Sequence, residues 1–203
     1  GDTSRGSPGM KLQTMVESGF EFRVLADVCA VGQFVPLAET PSISIVPGEP
    51  KHWRAVLPTL RRPEETFQLG LKAEDVWGNP SHLTEGELKL EPSMPVKGLP
   101  DTLSFPLGER ALTLEGLRCA REGELWIDVL CGNERVAQAG PLLIRAGERS
   151  GYWGDLHGQS GESIGITTAA EYFDFARNKS FLDVSSHQAV SYTHLRAHET
   201  STY

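Results

Sequence analysis

The sequence predicts a mostly β protein in which a β-sandwich is followed by a β-α-β unit. Between residues 43 and 146, about seven short runs alternate apolar with polar residues, and Pro and Gly separate them without a helical stretch. Between residues 151 and 188, two strand-like runs enclose a segment with helical spacing. The 203-residue chain is 39% hydrophobic and 23% charged, a composition typical of folded globular proteins.

Residues 1–42 are predicted to be the end of a preceding β-domain. From Phe20 to Val28, apolar residues alternate with mostly polar ones, as in a strand with one buried face. Residues 33–37 form a second short strand-like run that ends near Pro36. Two strands do not make an independent core, so we expect this domain to begin earlier in the parent protein.

Residues 43–146 are predicted to form the sandwich, two packed antiparallel sheets. The acidic turn at residues 74–80, Glu-Asp-Val-Trp-Gly-Asn-Pro, resembles turns of bacterial immunoglobulin-like domains, with Asp75 closing the turn and Gly78 at positive φ. We therefore expect an immunoglobulin-like β-sandwich. Its predicted strands cover residues 43–45, 52–57, 66–73, 87–90, 103–105, 111–117, 124–130 and 142–144.

Residues 151–188 are predicted to form a strand, a helix and a second, parallel strand. Thr168 with Glu171 three residues later is a capping box that marks the start of the helix. An apolar stripe at helical spacing follows and can lie on the sheet; it comprises Ala169, Tyr172, Phe173 and Ala176. The short connection between the two strands favours a parallel pair.

Two histidines mark the ends of these two strands and predict a metal site. His157 follows the first strand-like run, and His187 ends the second. Because the carboxyl ends of parallel strands meet at one edge, we expect both imidazoles to lie there, beside Asp155 and Glu162. The alternatives are structural histidines, or a degenerate pocket that has kept the fold and lost the chemistry.

The residues around these histidines resemble a known family. Gly-Asp-Leu-His at 154–157, the Gly-Gln-Ser-Gly-Glu that follows, and Leu-Asp-Val-Ser-Ser-His at 182–187 resemble the start of the PHP (polymerase and histidinol phosphatase) domain. They are most similar to an uncharacterised bacterial family that carries a PHP-like domain behind β-rich segments. The resemblance implies that residues 151–188 begin a distorted (β/α) barrel that binds divalent metal ions (Zn, Mn or Fe) and hydrolyses phosphoesters.

The resemblance also assigns roles to individual residues. His157 matches the first histidine of a His-x-His motif, with Gln159 at the second position, and His187 matches the histidine of a Thr-Asp-His motif. It implies that His157 and His187 are metal ligands, with Asp155 as a further ligand or a partner of one. Gln159 would orient a water or a phosphate oxygen, and Glu162 would act as acid or base.

The chain is therefore predicted to be a fragment of a metal-dependent, phosphoesterase-like hydrolase whose substrate is a small molecule or a phosphoester. A hydrolytic metal centre needs roughly three protein ligands and an open position for water, so we expect the chain by itself to be inactive. The alternative class is an adhesion or sugar-binding protein in which the sandwich binds the ligand. Exposed indoles of Trp53, Trp77 and Trp126 would favour that alternative, and Glu74 with Asp75 would be the candidate for a calcium site.

Charge and cysteine content exclude other classes. The net charge of -8 argues against a nucleic-acid or anionic-membrane surface, and no apolar run reaches the length of a membrane span. The three cysteines lack metal-knuckle spacing, and Cys119 and Cys131 are predicted to be buried thiols on neighbouring hairpin strands. The sequence does not indicate a compartment.

Residues 189–203 are predicted not to be native protein sequence. From Ala189 to Thr200, the residues match the translation of an adapter oligonucleotide used for sequencing libraries. His194 and His198 have the spacing of a helical metal pair, but they fall in this segment and are excluded from the site.

Overall fold

The computed structural model describes residues 3–147 and 149–188, and the protein is mostly β. These residues contain fourteen strands, one α-helix and one short 3-10 helix, Thr3–Arg5. The chain divides into two compact units, with the boundary between Pro47 and Gly48. The predicted mostly β class is therefore confirmed.

The first unit consists of two antiparallel strand pairs. Strand β1 pairs with β4, and β2 pairs with β3; the bounds are β1 Glu17–Glu21, β2 Leu25–Ala26, β3 Val35–Pro36 and β4 Ser42–Ile45. The single strand predicted from Phe20 to Val28 is thus divided in two. The Asp27 carboxylate accepts hydrogen bonds from Val31 N (3.1 Å) and Gly32 N (2.7 Å), and these bonds turn the chain after β2, so that the second piece ends at Ala26 instead of Val28.

The second unit contains two larger sheets and one parallel pair of strands, which is described further below. One larger sheet is antiparallel, in the order β10–β7–β5, and the other has the order β6–β12–β11–β8–β9 with β6 and β12 parallel. The bounds are β5 His52–Val56, β6 Leu60–Arg61, β7 Thr66–Glu74, β8 Gly86–Pro92, β9 Thr102–Phe105, β10 Leu112–Arg118, β11 Gly123–Cys131 and β12 Glu134–Ile144. Residues 43–45, predicted to open this region, instead form part of β4 in the first unit.

The two sheets share one apolar core, and together they are called the two-sheet body below. Alternate residues of the strands point into this core, which explains the period of two in the sequence. Its residues come from both sheets: Phe67, Leu69 and Leu71 of β7, Leu117 of β10, Leu88 and Leu90 of β8, Phe105 of β9, Leu125, Ile127 and Val129 of β11, and Ala139, Leu142 and Ile144 of β12.

The predicted acidic turn is present between β7 and the isolated bridge at Pro80. The buried Asp75 carboxylate accepts hydrogen bonds from Gly48 N (3.0 Å), Trp77 N (2.8 Å) and Asn79 N (3.0 Å). Gly78 has a φ of 87°, the left-handed conformation that favours glycine. Burial acts to raise the pKa of Asp75, but the hydrogen bonds outweigh it and the pKa is lowered.

The prediction that Cys119 and Cys131 lie on neighbouring hairpin strands is wrong, and so is the predicted burial of Cys131. β10 and β11 belong to different sheets, and β11 instead forms its hairpin with β12. Cys119 is buried, whereas Cys131 lies exposed at the end of β11, next to the turn into β12, and Cys29 is also exposed.

A parallel β-α-β unit follows the body, as the sequence predicts. β13, Gly154–Gly158, and β14, Val184–His187, are parallel, and helix α1, Ala169–Asn178, lies between them in the chain. Thr168 is the N-cap of α1, and both reciprocal hydrogen bonds of the capping box with Glu171 are present.

None of the helices in the described ranges is long and apolar enough to cross a membrane. The predicted adapter-derived tail, residues 189–203 with His194 and His198, lies outside the described residues.

An apolar anchor docks this β-α-β unit on the body. Gly70 of β7 lies between Leu69 and Leu71, which point into the core, so it faces the other side of its sheet. The ring of Phe181 covers Gly70 so closely that a Cβ at that position would overlap it. Phe181 is 6% exposed and has a φ of 58°.

A polar anchor fixes the beginnings of both parallel strands. Arg61 of β6 is buried, donates to the Gly151 carbonyl and to Asp183 Oδ1 (3.2 Å), and stacks on the Tyr152 ring. Asp183 Oδ2 accepts from Trp153 N at 2.8 Å. Trp153 precedes β13 and Asp183 precedes β14, so this buried guanidinium holds both strands against the body.

Candidate metal centre

The register of β13 and β14 decides which side chains share a face. Asp155 pairs with Ser185 and Gly158 pairs with His187, with an irregularity between the two pairs. Asp155 contacts Tyr172 of α1, and a Cβ at Gly158 would overlap the Tyr172 side chain. Asp155 and Gly158 therefore both face the helix.

His187 ends β14 and is held from two sides. Its Nε2 lies 2.8 Å from the Oγ of Ser160, a residue that is 0% exposed. Its ring centroid is 6.2 Å from that of Tyr172 and 6.5 Å from that of Phe173. The imidazole thus lies between the loop that follows β13 and the side of α1 that carries these two rings.

Asp155 also has partners on both carboxylate oxygens. Oδ1 accepts from His157 N at 2.8 Å, and Oδ2 accepts from the Tyr172 hydroxyl at 3.0 Å. The same hydroxyl lies 3.3 Å from the Ser186 carbonyl oxygen. Burial, and then the hydrogen bond and charge of Asp155, raise the pKa of Tyr172, so the phenol stays protonated and remains a donor at neutral pH.

His157 is in a different environment. Its side chain is exposed, and its backbone N–H donates to Asp155. Adjacent residues of a strand face opposite sides, and Gly158 faces α1, so position 157 is directed away from the helix. The structure brings together Asp155, His187 and Tyr172, whereas His157 is not part of this contact group.

The other two predicted site residues lie in the loop after β13. The Ser163 hydroxyl donates to Gln159 Oε1 at 2.5 Å, so this amide oxygen is engaged within the loop. Glu162 is exposed, and its backbone N–H donates to Ser160 Oγ at 3.1 Å. Ser160 N donates in turn to Ser163 Oγ at 3.1 Å, which makes the loop a compact hydrogen-bonded turn.

Residues 3–147 and 149–188 contain no group of three or more His, Cys, Asp or Glu side chains close enough to hold a metal ion. By chemical type, however, the imidazole of His187 and the carboxylate of Asp155 are common ligands of divalent first-row metals. His187 Nε2 and Asp155 Oδ2 already have intramolecular partners, so a metal that bound at either of these two atoms would compete with the hydroxyl of Ser160 or that of Tyr172.

The features that would favour a sugar-binding or calcium-binding sandwich have other contacts. Trp53 packs edge-on against Phe105, with ring centroids 5.1 Å apart, and Trp126 is half-buried. Trp77 is 65% exposed and lies in the acidic turn, so these three indoles do not share one exposed face. The Asp75 oxygens accept the hydrogen bonds that close that turn, which leaves them poorly placed to act as cation ligands.

The sequence reasoning missed Ser160, and it assigned Tyr172 only to an apolar stripe. Tyr172 carries a polar tip on a helix predicted to cover two strand ends, and buried tyrosine hydroxyls usually find a partner. That signal was available in the sequence. Ser160 had no comparable signal, because its contact with His187 spans 27 residues and depends on the register of two strands.

A comparison with known protein families gave no matching family model, and a comparison with curated proteins gave no significant match.

Proposed function

We propose that residues 151–188 form the opening β-α-β unit of a metal-dependent phosphoesterase of the PHP type, carried by an immunoglobulin-like β-sandwich. In this proposal His187, Asp155 and His157 are metal ligands, and the substrate is a small-molecule phosphoester. The other ligands of the centre would come from other strands of a (β/α) barrel. We therefore expect the 203-residue chain to bind a metal weakly and to be inactive as a catalyst.

The observation that supports this proposal most is the common contact of Asp155 and His187 with Tyr172. The carboxylate accepts from the phenol at 3.0 Å, and the imidazole centroid lies 6.2 Å from the ring centroid. A carboxylate near the start of β13 and the imidazole at the end of β14 thus lie on the same face of the parallel pair. His187 lies at the carboxyl edge, where ligands and metals collect in parallel α/β folds.

Each residue has a role that its chemistry allows. A bound divalent metal would supply an activated water and neutralise charge on the phosphoryl group. Asp155 and His187 would hold the metal, and Gln159 would orient a water or a phosphate oxygen once its amide leaves Ser163. Glu162 is exposed and would exchange a proton with solvent or substrate.

For His157 to join the same metal, the irregular register between Asp155 and Gly158 would have to change. The three ligands should therefore contribute unequally to metal affinity. Loss of His187 or Asp155 should weaken metal binding more than loss of His157 does.

Calorimetric titration with Mn²⁺ and with Zn²⁺ tests the assignment. We expect His187→Ala and Asp155→Asn to weaken binding at least about tenfold, since the loss of a residue that only orients a ligand already costs about ten- to hundredfold in metal affinity. His52→Ala is the matched control, since His52 is an exposed histidine on β5 and its loss should leave the titration unchanged. Equal binding by the wild type and His187→Ala would show that the metal site is assigned to the wrong residues.

A phosphatase assay with p-nitrophenyl phosphate and the same metals tests the expected inactivity. We expect turnover at the level of the buffer containing metal alone. Turnover above that level that disappears in His157→Ala would contradict the expectation that this chain has too few ligands.

A further inference from the structure

We propose that Ser160 caps the metal-binding nitrogen of His187 in the metal-free protein, so that a metal must displace the serine hydroxyl. The hydrogen bond between Ser160 Oγ and His187 Nε2 is called the hydroxyl cap below. This inference rests on the proposed metal site and adds a residue that controls access to it.

The direction of the hydroxyl cap follows from the partners of Ser160. The Oγ atom lies 3.1 Å from Glu162 N and 2.8 Å from His187 Nε2. The amide can only donate, so Oγ accepts there and still needs an acceptor for its own hydrogen. Ser160 is 0% exposed, so solvent does not provide that acceptor, and an unpaired buried hydroxyl is costly. Ser160 therefore donates to Nε2.

This direction fixes the tautomer of His187. A neutral imidazole that accepts at Nε2 carries its proton on Nδ1. A metal ion takes the lone pair of an unprotonated ring nitrogen. In the capped state Nδ1 is protonated and the Nε2 lone pair is occupied, so neither nitrogen is ready to bind a metal.

The loop holds the Ser160 backbone in place, so the hydroxyl cap is not released by simple loop motion. Ser160 N donates to Ser163 Oγ at 3.1 Å, and Gly165 N donates to the Ser160 carbonyl at 2.7 Å. A Cβ at Gly165 would lie 2.8 Å from the Ser160 Cα, so the two backbone segments are in close contact. Metal binding must therefore break the cap while the loop remains where it is.

The variant Ser160→Ala tests the inference by calorimetric titration with Zn²⁺. We expect an affinity about three- to tenfold higher than in the wild type, the scale of one neutral hydrogen bond. The metal-free protein loses the bond to His187, whereas the metal-bound protein loses nothing at that nitrogen. The partner lost by Glu162 N is lost in both states and cancels.

The matched control is Ser163→Ala. Ser163 is buried in the same loop and bonds to Gln159 and Ser160, but its hydroxyl has no described bond to His187. If loosening of the loop were the cause, Ser163→Ala would raise the affinity as much as Ser160→Ala does, and the inference would be overturned.

Long-range ¹H–¹⁵N spectra of the imidazoles supply a readout that needs no metal. At about pH 8, where an ordinary histidine is neutral, His187 should be the Nδ1–H tautomer in the wild type and shift toward Nε2–H in Ser160→Ala. A wild-type His187 in the Nε2–H form would overturn the inference.

The outcomes separate the inference from the proposed function. If His187→Ala weakens Zn²⁺ binding and Ser160→Ala does not strengthen it, the cap is wrong and the metal site stands. If His187→Ala leaves Zn²⁺ binding unchanged, His187 is not a metal ligand, and both the proposed site and the role of the hydroxyl cap are wrong.

Discussion

The two-sheet body and the β13–α1–β14 unit are stabilised by different kinds of contact. The body has a continuous apolar core in which Leu69, Ile127 and Leu142 are 0% exposed. In the β-α-β unit, by contrast, Phe173 is 41% exposed and Phe175 45%. The side-chain contacts of that unit include the hydrogen bonds of Tyr172 with Asp155 and of Ser160 with His187, and two anchors hold it on the body.

This difference predicts separate local stabilities within one compact unit. Hydrophobic burial is the largest favourable contribution to folding, so the body should keep its structure when the anchors fail. A segment with few buried apolar contacts opens at a lower free energy than the core does. The candidate metal centre lies in the weaker region, and its geometry depends on how firmly the β-α-β unit is docked.

The largest effect is expected when the apolar anchor is removed. Phe181→Ala deletes a ring that is 6% exposed and covers Gly70, and buried Phe→Ala changes cost about 3–5 kcal/mol. We expect amide hydrogen exchange to accelerate throughout α1 and β14 while the amides of β11 stay protected.

Two further variants sharpen this experiment. Gly70→Ala should produce the same pattern from the other side of the contact, because its Cβ would overlap the Phe181 ring. Phe175→Ala is the control, since this ring is 45% exposed and has no described ring contact, so it should contribute about 1 kcal/mol or less. Uniform acceleration across β11 and α1 in Phe181→Ala would show that the two regions unfold as one.

The same contrast explains how far the sequence could predict the structure. Most strands of the body were predictable because a period of two records burial on one face, whereas β6 and residues 134–141 of β12 were not predicted. Helix α1 was predictable because its capping box is local. The sheet to which each strand belongs is a non-local property, which is why β10 and β11 were wrongly predicted to form a hairpin. The contact of Phe181 with Gly70 had no local signal either, since a glycine in a strand has several possible causes.

The candidate site was predictable in composition but less so in arrangement. His157 and His187 were expected together at the strand ends, with Asp155 beside them, because parallel strands place their carboxyl ends at one edge. In the structure it is Asp155, not His157, that shares the Tyr172 contact with His187. Whether His157 shares their face depends on a single irregularity in the register after Asp155. A one-residue shift in a strand moves a side chain to the other face, and sequence periodicity over five residues is too short to detect that shift.

A smaller effect is expected from the contact of Glu65 with residues 149–153, the linker that leads into β13. This carboxylate accepts from the Ser150 hydroxyl and from Arg62 N (2.9 Å), and it lies 3.3 Å from the Tyr152 hydroxyl. Burial acts to raise the pKa of Glu65, but the hydrogen bonds from Ser150 and Arg62 and the charge of Arg62 lower it to about 2. The folded-state pKa therefore lies below the ordinary value of 4.5.

The sign of the pH dependence follows from that difference. The ionised carboxylate contributes stability at and above about pH 5, and this contribution is lost as the pH falls toward about 2. With allowance for solvent screening at this partly exposed group, we expect the loss to be about 1–2 kcal/mol. Thermal unfolding at pH 7, 4 and 3 measures it.

Glu65→Gln should be less stable than the wild type at pH 7 and should show a flatter decline with acid. Glu87→Gln is the control, because Glu87 is an exposed residue of β8 and should leave the pH profile unchanged. Parallel profiles for the wild type and Glu65→Gln would show that the linker contact does not contribute to docking.

The smallest effect is expected at the N-cap of α1, because loss of a capping hydrogen bond there should destabilise only the β-α-β unit. Thr168 Oγ1 accepts from Glu171 N at 3.2 Å, and Glu171 Oε2 accepts from Thr168 N at 2.9 Å. Thr168→Ala removes the first of these bonds, and such changes cost about 1 kcal/mol. Because Tyr172 lies in the first turns of the helix, fraying there should also loosen its hydrogen bond to Asp155.

We expect faster exchange of the Glu171 and Tyr172 amides in Thr168→Ala, with unchanged exchange in β11. The control is Thr168→Ser, which keeps a capping hydroxyl and should restore the wild-type rates. If Thr168→Ala instead accelerated exchange in the body by the same factor, the helix and the sheets would form one cooperative unit and the separation of their stabilities would be incorrect.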